Sequence, residues 1–95
     1  MQTFCLCRRA GKLIIGFDAV VTEMRGKTAG GVVLASDVSP KTEKELLFHG
    51  QQNGIEVIKA GFTMDEAKSA TGKRAGVFFV ADEGLFGSLK KHILD

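Results

Sequence analysis

Val32-Val33-Leu34-Ala35 and Val77-Phe78-Phe79-Val80-Ala81 are continuous apolar runs, and Ile55-Glu56-Val57-Ile58 is nearly one. A strand with one wet face alternates apolar and polar residues, whereas a strand covered on both faces has no need to. Such runs fit a largely parallel sheet with helices on both sides. The segments between them carry the helical period. Phe17, Val20, Val21 and Met24 follow the i, i+3, i+4, i+7 spacing of one stripe, and Asp18, Thr22 and Arg25 fall off it, facing outward. Ser39-Pro40 reads as an N-cap with proline at the first helical position, Asn53-Gly54 as the stop of that helix, and Leu46 and Leu47 as its inner face. Thr63-Met64-Asp65-Glu66 has the form of a capping box, which predicts a short helix running to Gly72. Leu85, Phe86, Leu89 and Ile93 outline a last amphipathic helix, a first is expected over residues 3–10, and Leu13-Ile14-Ile15 suits a short strand. Helices and strands therefore alternate. The expected fold is α/β, a three-layer α/β/α sandwich around a mixed, largely parallel central sheet.

The length of 95 residues fits a single domain, residues 1–95. Apolar residues at 44% and charged residues at 25% match a globular chain rather than a disordered one. No apolar run approaches the roughly 20 residues that cross a bilayer. Met1-Gln2-Thr3 lacks the basic-then-apolar pattern of a signal peptide. A cytoplasmic protein without membrane contact is expected. Cys5 and Cys7 are separated by one residue, too close for an unstrained disulfide, and His49 and His92 are too few and too isolated to complete a zinc set. The expectation is two reduced structural thiols, suited to a reducing cytoplasm, with no metal and no cofactor.

Catalytic chemistry leaves little trace. Gly26-Lys27-Thr28 resembles the end of a phosphate-binding loop, but Val21 stands where the loop's first glycine belongs, and a helix rather than a strand comes before it. Ser36-Asp37 follows a strand with no histidine near in sequence, which favours a capping or turn role over a catalytic pair. His49, inside a helix, and His92, beside Lys90 and Lys91, read as solvated or partly packed. Lacking a nucleophile with its base, a carboxylate pair or a phosphate loop, the chain is expected to be no enzyme. A small hydrolase would need a pocket with convergent polar groups around Ser36 and Asp37.

The net charge of +2 is unevenly spread: residues 1–30 carry +3, residues 31–62 carry −1 and residues 63–95 are neutral. Arg8, Arg9 and Lys12 lead into the second helix, Arg25 and Lys27 close it, and Lys73-Arg74 sits in the loop before the last strand. If that loop and the second helix meet, these residues make one basic edge for RNA phosphate; otherwise they are solvated charge at the ends of elements.

The order of motifs carries a resemblance. Leu6-x-Arg8-Arg9-Ala10-Gly11-Lys12-Leu13-x-x-Gly16, Val20, Arg25-Gly26-Lys27, Val32-Val33-Leu34-Ala35-x-Asp37-x-Ser39, Thr42-x-Lys44, Ala70-x-Gly72-Lys73 and Asp82-x-Gly84 together resemble the ribosomal protein L7Ae/L30e family, and within it the small bacterial YlxQ-type branch. The likeness spans residues 4–89. It implies a compact α/β/α sandwich that binds structured RNA, with kink-turn or ribosomal RNA and ribosomal or RNA-processing proteins as partners. It also implies an RNA surface at Gly16, Phe17, Asp18, Ala19 and Thr22 together with Gly72, Lys73, Arg74 and Ala75; from the charge distribution, Lys12, Arg25, Lys73 and Arg74 are expected to contact phosphate. A glycine at a helix start lets nucleic acid approach the backbone, and the positive end of the helix dipole favours phosphate; Gly16 is also explained by a tight turn. Kink-turn binders of this family typically place Asn, Glu and Lys where this chain has Asp18, Ala19 and Thr22. A carboxylate accepts hydrogen bonds but does not donate them, so Asp18 cannot replace Asn at a base edge. Weakened or altered kink-turn selectivity follows from the resemblance. A protein-interaction adaptor on the same scaffold is the alternative.

Overall fold

A computed structural model describes residues 2–91. Nine elements alternate: α1 (Gln2–Arg9), β1 (Leu13–Ile15), α2 (Phe17–Arg25), β2 (Gly31–Leu34), α3 (Pro40–Asn53), β3 (Val57–Lys59), α4 (Met64–Thr71), β4 (Val77–Val80) and α5 (Glu83–Lys91). The boundaries follow the local chemistry. Ser39 caps α3 by accepting from Thr42 N, Pro40 takes the first helical position, and Gly54 ends the helix in the left-handed conformation. The capping box at Thr63 is complete, with Glu66 N donating to the Thr63 hydroxyl and Thr63 N donating to Glu66 Oε1. Ile93 and His92 lie outside the described residues.

The strands lie in the order β1-β4-β2-β3. β2 and β3 are parallel, with Val33 opposite Ile58, while β4 runs antiparallel to both β1 and β2. The sheet is therefore mixed, as expected, but it is not largely parallel in its pairings. β1, β2 and β3 all point the same way, and β4, the one strand running against them, is inserted between two of them. Continuous apolar runs report cover on both faces, and the two helical layers supply that cover whatever the strand direction. The two unbroken runs, β2 and β4, are the fully buried central strands. The interrupted segments, β1 and β3, are half-buried edges, and β3 begins at Val57 rather than Ile55.

α2 packs on α3 against one face of the sheet, and α1 packs on α4 and α5 against the other. Successive strand residues point to opposite faces, so Phe78 and Phe79 anchor the two half-cores. On the α1 side, Phe4, Phe62 and Phe78 form an aromatic cluster, with Phe4 4.6 Å from Phe62 and 4.8 Å from Phe78, the latter pair edge to face. On the α2 side, Val20, Val21 and Met24 are buried as their stripe requires, and Asp18, Thr22 and Arg25 are exposed. Leu46 is buried, but Leu47, expected beside it, is 49% exposed next to a still more open Phe48. Leu47 lies about 100° round the helix from Leu46, and on α3 that turn carries it past the buried face.

Both cysteines are free thiols on α1, Cys7 buried and Cys5 half-buried. Gly26, Lys27 and Thr28 form the turn that closes α2, with Gly26 N donating to Thr22 O and Lys27 N to Met24 O. A phosphate-binding loop presents the amide end of a helix, and this turn presents the carbonyl end, so it is not one. Burial pushes the Cys7 thiol up, and the Asp82 carboxylate adds to the shift. The unfolded chain then loses this proton first, so the thiol lowers stability as pH rises above about 9. At neutral pH a thiol reagent should modify Cys5 promptly and Cys7 only after denaturation; two equally fast thiols would contradict this packing. Phe4→Ala should cost about 3–5 kcal/mol in urea unfolding, as for other buried aromatic truncations.

Candidate functional site

Because β1, β2 and β3 run the same way, their carboxyl ends share one edge of the sheet, and the start of β4 joins them there. Two hydrogen bonds stitch this edge together: Gly16 N donates to Val77 O at 3.0 Å, and Ala35 N to Gly76 O at 2.9 Å. The start of α2 and the loop before β4 therefore meet. The three helices that follow β1, β2 and β3 all begin here, around an open cleft of about 680 Å³. Its walls include Phe17, Val38, Met64 and Val77, and its rim Asp37, Ser39, Lys41, Thr42 and Glu45.

The three helix starts differ in one respect. α3 and α4 carry side-chain caps, and α4 gains a second from Asp37 Oδ1, which accepts from Met64 N at 2.8 Å. α2 begins at Gly16 with no side-chain cap. Gly16 adopts φ +107°, ψ 150°, a region that side chains other than hydrogen rarely enter, and a Cβ there would point into open space. The first amides of α2 are thus presented beside an unobstructed backbone, at the positive pole of the helix.

The loop of residues 72–75 has its own anchor. Gly72 closes α4 in the left-handed conformation, and the buried Thr71 hydroxyl accepts from Lys73 N at 3.2 Å while lying 2.9 Å from Ala67 O. Lys73 is exposed. Arg74 forms an exposed ion pair with Asp65 at 2.8 Å, an arrangement that contributes little to stability. On α2, Asp18, Ala19 and Thr22 are exposed, and the Thr22 hydroxyl donates to Asp18 O at 2.9 Å. Phe17 is half-buried, with its ring edge-on to that of His49 at 6.5 Å.

Of the residues singled out in the sequence, Gly16, Phe17, Asp18, Ala19, Thr22, Gly72, Lys73, Arg74 and Ala75 belong to the two segments joined at this edge. Lys12 and Arg25 do not. Arg25 closes α2, nine residues and about 13 Å from Gly16. Lys12 stands at the start of β1, where its carbonyl accepts from Ala81 N at the far end of β4. The single basic edge is therefore two separate edges. Lys41, at the cleft rim, was not singled out; its signal is its place in the first turn of a helix that follows a parallel strand, since ligands in α/β folds gather beyond the carboxyl ends of strands.

A cleft beside Asp37 raises hydrolytic chemistry again, but Asp37, Ser39 and Thr42 are already engaged. Asp37 holds Met64 N, and the Ser39 hydroxyl donates to Thr42 Oγ1 while accepting from Thr42 N. The lining residues include no histidine or cysteine. Ser36 is not among them either. Among the described residues, no group of three or more His, Cys, Asp or Glu is arranged to hold a metal ion, and no helix is long and apolar enough to cross a membrane.

Comparison with known proteins places this architecture. Residues 2–77 match the model of the Ribosomal protein L7Ae/L30e/S12e/Gadd45 family, a span that takes in both joined segments. The chain belongs to this family. A relative in Enterococcus faecium, named RNA-binding protein YlxQ, is 29% identical to this L7Ae-family chain over 93 residues, which is 98% of this chain and 89% of that one. A solved structure of a protein of unknown function from Bacillus halodurans C superposes with a TM-score of 0.87 at 29% identity, covering 96% of this chain and 92% of the other.

Since the strain at Gly16 is conformational and no atom stands in the way, Gly16→Ala should lower stability by about 1–3 kcal/mol without disturbing the core. Asp37→Ala, which frees Met64 N, should cost about 1 kcal/mol. Urea unfolding monitored by circular dichroism checks both. An unchanged midpoint for Gly16→Ala would mean that the glycine is not held in this conformation by its surroundings.

Proposed function

We propose that this L7Ae-family chain is a non-enzymatic RNA-binding protein, ribosome-associated in the cytoplasm, and that it holds structured RNA along the edge formed by residues 16–22 and 72–75. The observation that carries the proposal is the uncapped start of α2 at Gly16, fixed against the loop before β4 by the bond to Val77 O. Phosphate oxygens are suited to free helix-terminal amides, and exposed side chains one turn further, at Asp18, Ala19 and Thr22, stand where base edges would be read. The Enterococcus relative, an RNA-binding protein by name, supports RNA as the ligand class.

The charge at this edge bears on selectivity. Lys41, Lys73 and Arg74 are offset by Asp18, Asp37, Glu45 and Asp65, so phosphate attraction there is modest. Asp18 offers no donor to a base, and Thr22 has already committed its proton to Asp18 O. RNA binding with weakened or altered kink-turn selectivity is the outcome. An adaptor that binds protein is the second reading, favoured by the exposed Leu47 and Phe48 on α3; it predicts a partner that stays bound at high salt after nuclease treatment.

The deciding experiment compares a kink-turn RNA with a straight duplex, for the native chain and for an Asp18→Asn, Ala19→Glu, Thr22→Lys variant. The native chain should bind the two RNAs within about tenfold of each other, and the variant should shift toward the kink-turn. With two or three phosphates neutralised at this edge, kink-turn binding should weaken with salt at a log–log slope of about −2. Absence of binding to any RNA would remove the function. A native preference well above tenfold would show that other residues replace the missing reading set.

A further inference from the structure

The opposite edge of the sheet, where β1 and β2 begin and β4 ends, is the more cationic of the two. Arg8 and Arg9 lie in the last turn of α1, Lys12 at the start of β1, and Arg25 and Lys27 at the close of α2. The backbone fixes them around one point. Lys12 N donates to Cys7 O and Lys12 O accepts from Ala81 N, which ties the end of α1 to the end of β4. Gly30, three residues after Lys27, sits so close to Val80 O that a Cβ would overlap it, which holds the other turn against the same strand end. All five cations are exposed, and the side-chain ion pairs among the described residues engage none of them. The carboxylates nearby are fewer than these cations: Glu23 accepts from the Thr28 hydroxyl at 2.6 Å, Asp82 accepts from Leu85 N at 2.9 Å, and Glu83 is exposed.

Basic residues in a last helical turn are partly explained by the helix dipole, which favours cations there. That explanation does not cover Lys12, which is in no helix, nor Lys27, which lies beyond the end of α2 and holds a positive φ of 55°. Two turns from opposite helical layers, with a lysine between them at the start of β1, form a continuous rim of positive charge. We propose that this rim is a second RNA surface, which binds the sugar-phosphate backbone of a duplex without reading its sequence. It rests on RNA as the partner but not on the edge at Gly16. Its fit is electrostatic: five unpaired cations along one rim complement a polyanion, and they offer no stacking aromatic for a single strand.

The test is salt-dependent binding to a straight RNA duplex. An Arg9→Gln, Lys12→Gln, Arg25→Gln, Lys27→Asn variant removes four charges, with Asn chosen at 27 because it tolerates a positive φ. The native slope should be about −3 to −4, and the variant should lose about tenfold or more in low-salt affinity with a slope shallower by about 3. Lys44→Gln with Lys68→Gln, two exposed lysines on α3 and α4 that belong to neither proposed surface, should leave duplex binding nearly unchanged. Arg9→Lys with Arg25→Lys should keep the native slope, which separates lost charge from lost fold. A native slope and affinity in the four-charge variant would overturn the proposal, as would failure of the native chain to bind the duplex. In that second case the kink-turn measurement decides separately whether RNA binding at the Gly16 edge stands.

Discussion

The strand Val77–Val80, running against the neighbours on either side of it, is the constraint on which the other positions depend. By lying between β1 and β2 it buries Phe78 into one half-core and Phe79 into the other, and neither helical layer has another aromatic so central to the sheet. Its direction also decides what each edge contains. Were it parallel to its neighbours, residues 72–76 would enter from the far side and Gly16 would have no partner at Val77 O. Because it is antiparallel, the loop before it arrives where α2, α3 and α4 begin. The same reversal brings Ala81 to Lys12 at the other end.

Each edge is therefore a product of topology acting on a nearly neutral chain. A net charge of +2 would attract a polyanion only weakly if spread evenly. Here the carboxylates concentrate where the helices begin, which is where the dipole favours them, and the cations where α1 and α2 end. One outcome is an edge with exposed amides, a cleft and balanced charge, suited to shape and hydrogen bonding. The other is an edge with a clear positive excess, suited to phosphate.

Much of this was legible in the residues, and the division follows the range of the forces involved. Ser39-Pro40, the Thr63 box and the stops at Gly54 and Gly72 are settled within four residues of themselves, so sequence displays them directly. The unbroken runs at β2 and β4 announced central strands, because full burial leaves no place for a polar residue. Strand direction was not legible, since Val77-Phe78-Phe79-Val80 is equally apolar read either way. Leu47 shows the limit of a stripe read without the radius of a helix: it is apolar, adjacent to a core residue, and still points away. At the site, Gly16 and the 72–75 loop were found through resemblance, while their junction depends on a hydrogen bond spanning residues 16 and 77 that no local pattern encodes. For the same reason Lys12 and Arg25, near Gly16 in sequence, were grouped with it although a strand and a helix carry them to the other edge.

The arrangement around Gly16 also indicates why a family scaffold can keep its fold while its selectivity moves. The residues that hold the edge together, Gly16, Gly76, Val77, Thr71 and Asp37, act through the backbone or through caps, and any change there costs stability. Those that face outward, Asp18, Ala19, Thr22 and Lys73, bear no part of the core, and surface substitutions at such positions have small effects on stability. Support and recognition are thus carried by different side chains on the same two segments. If this edge holds RNA as proposed, a donor replaced by Asp18 or a long side chain replaced by Ala19 would alter what a base meets without moving the start of the helix. A scaffold divided in this way retains a backbone-binding edge as its base-reading residues diverge.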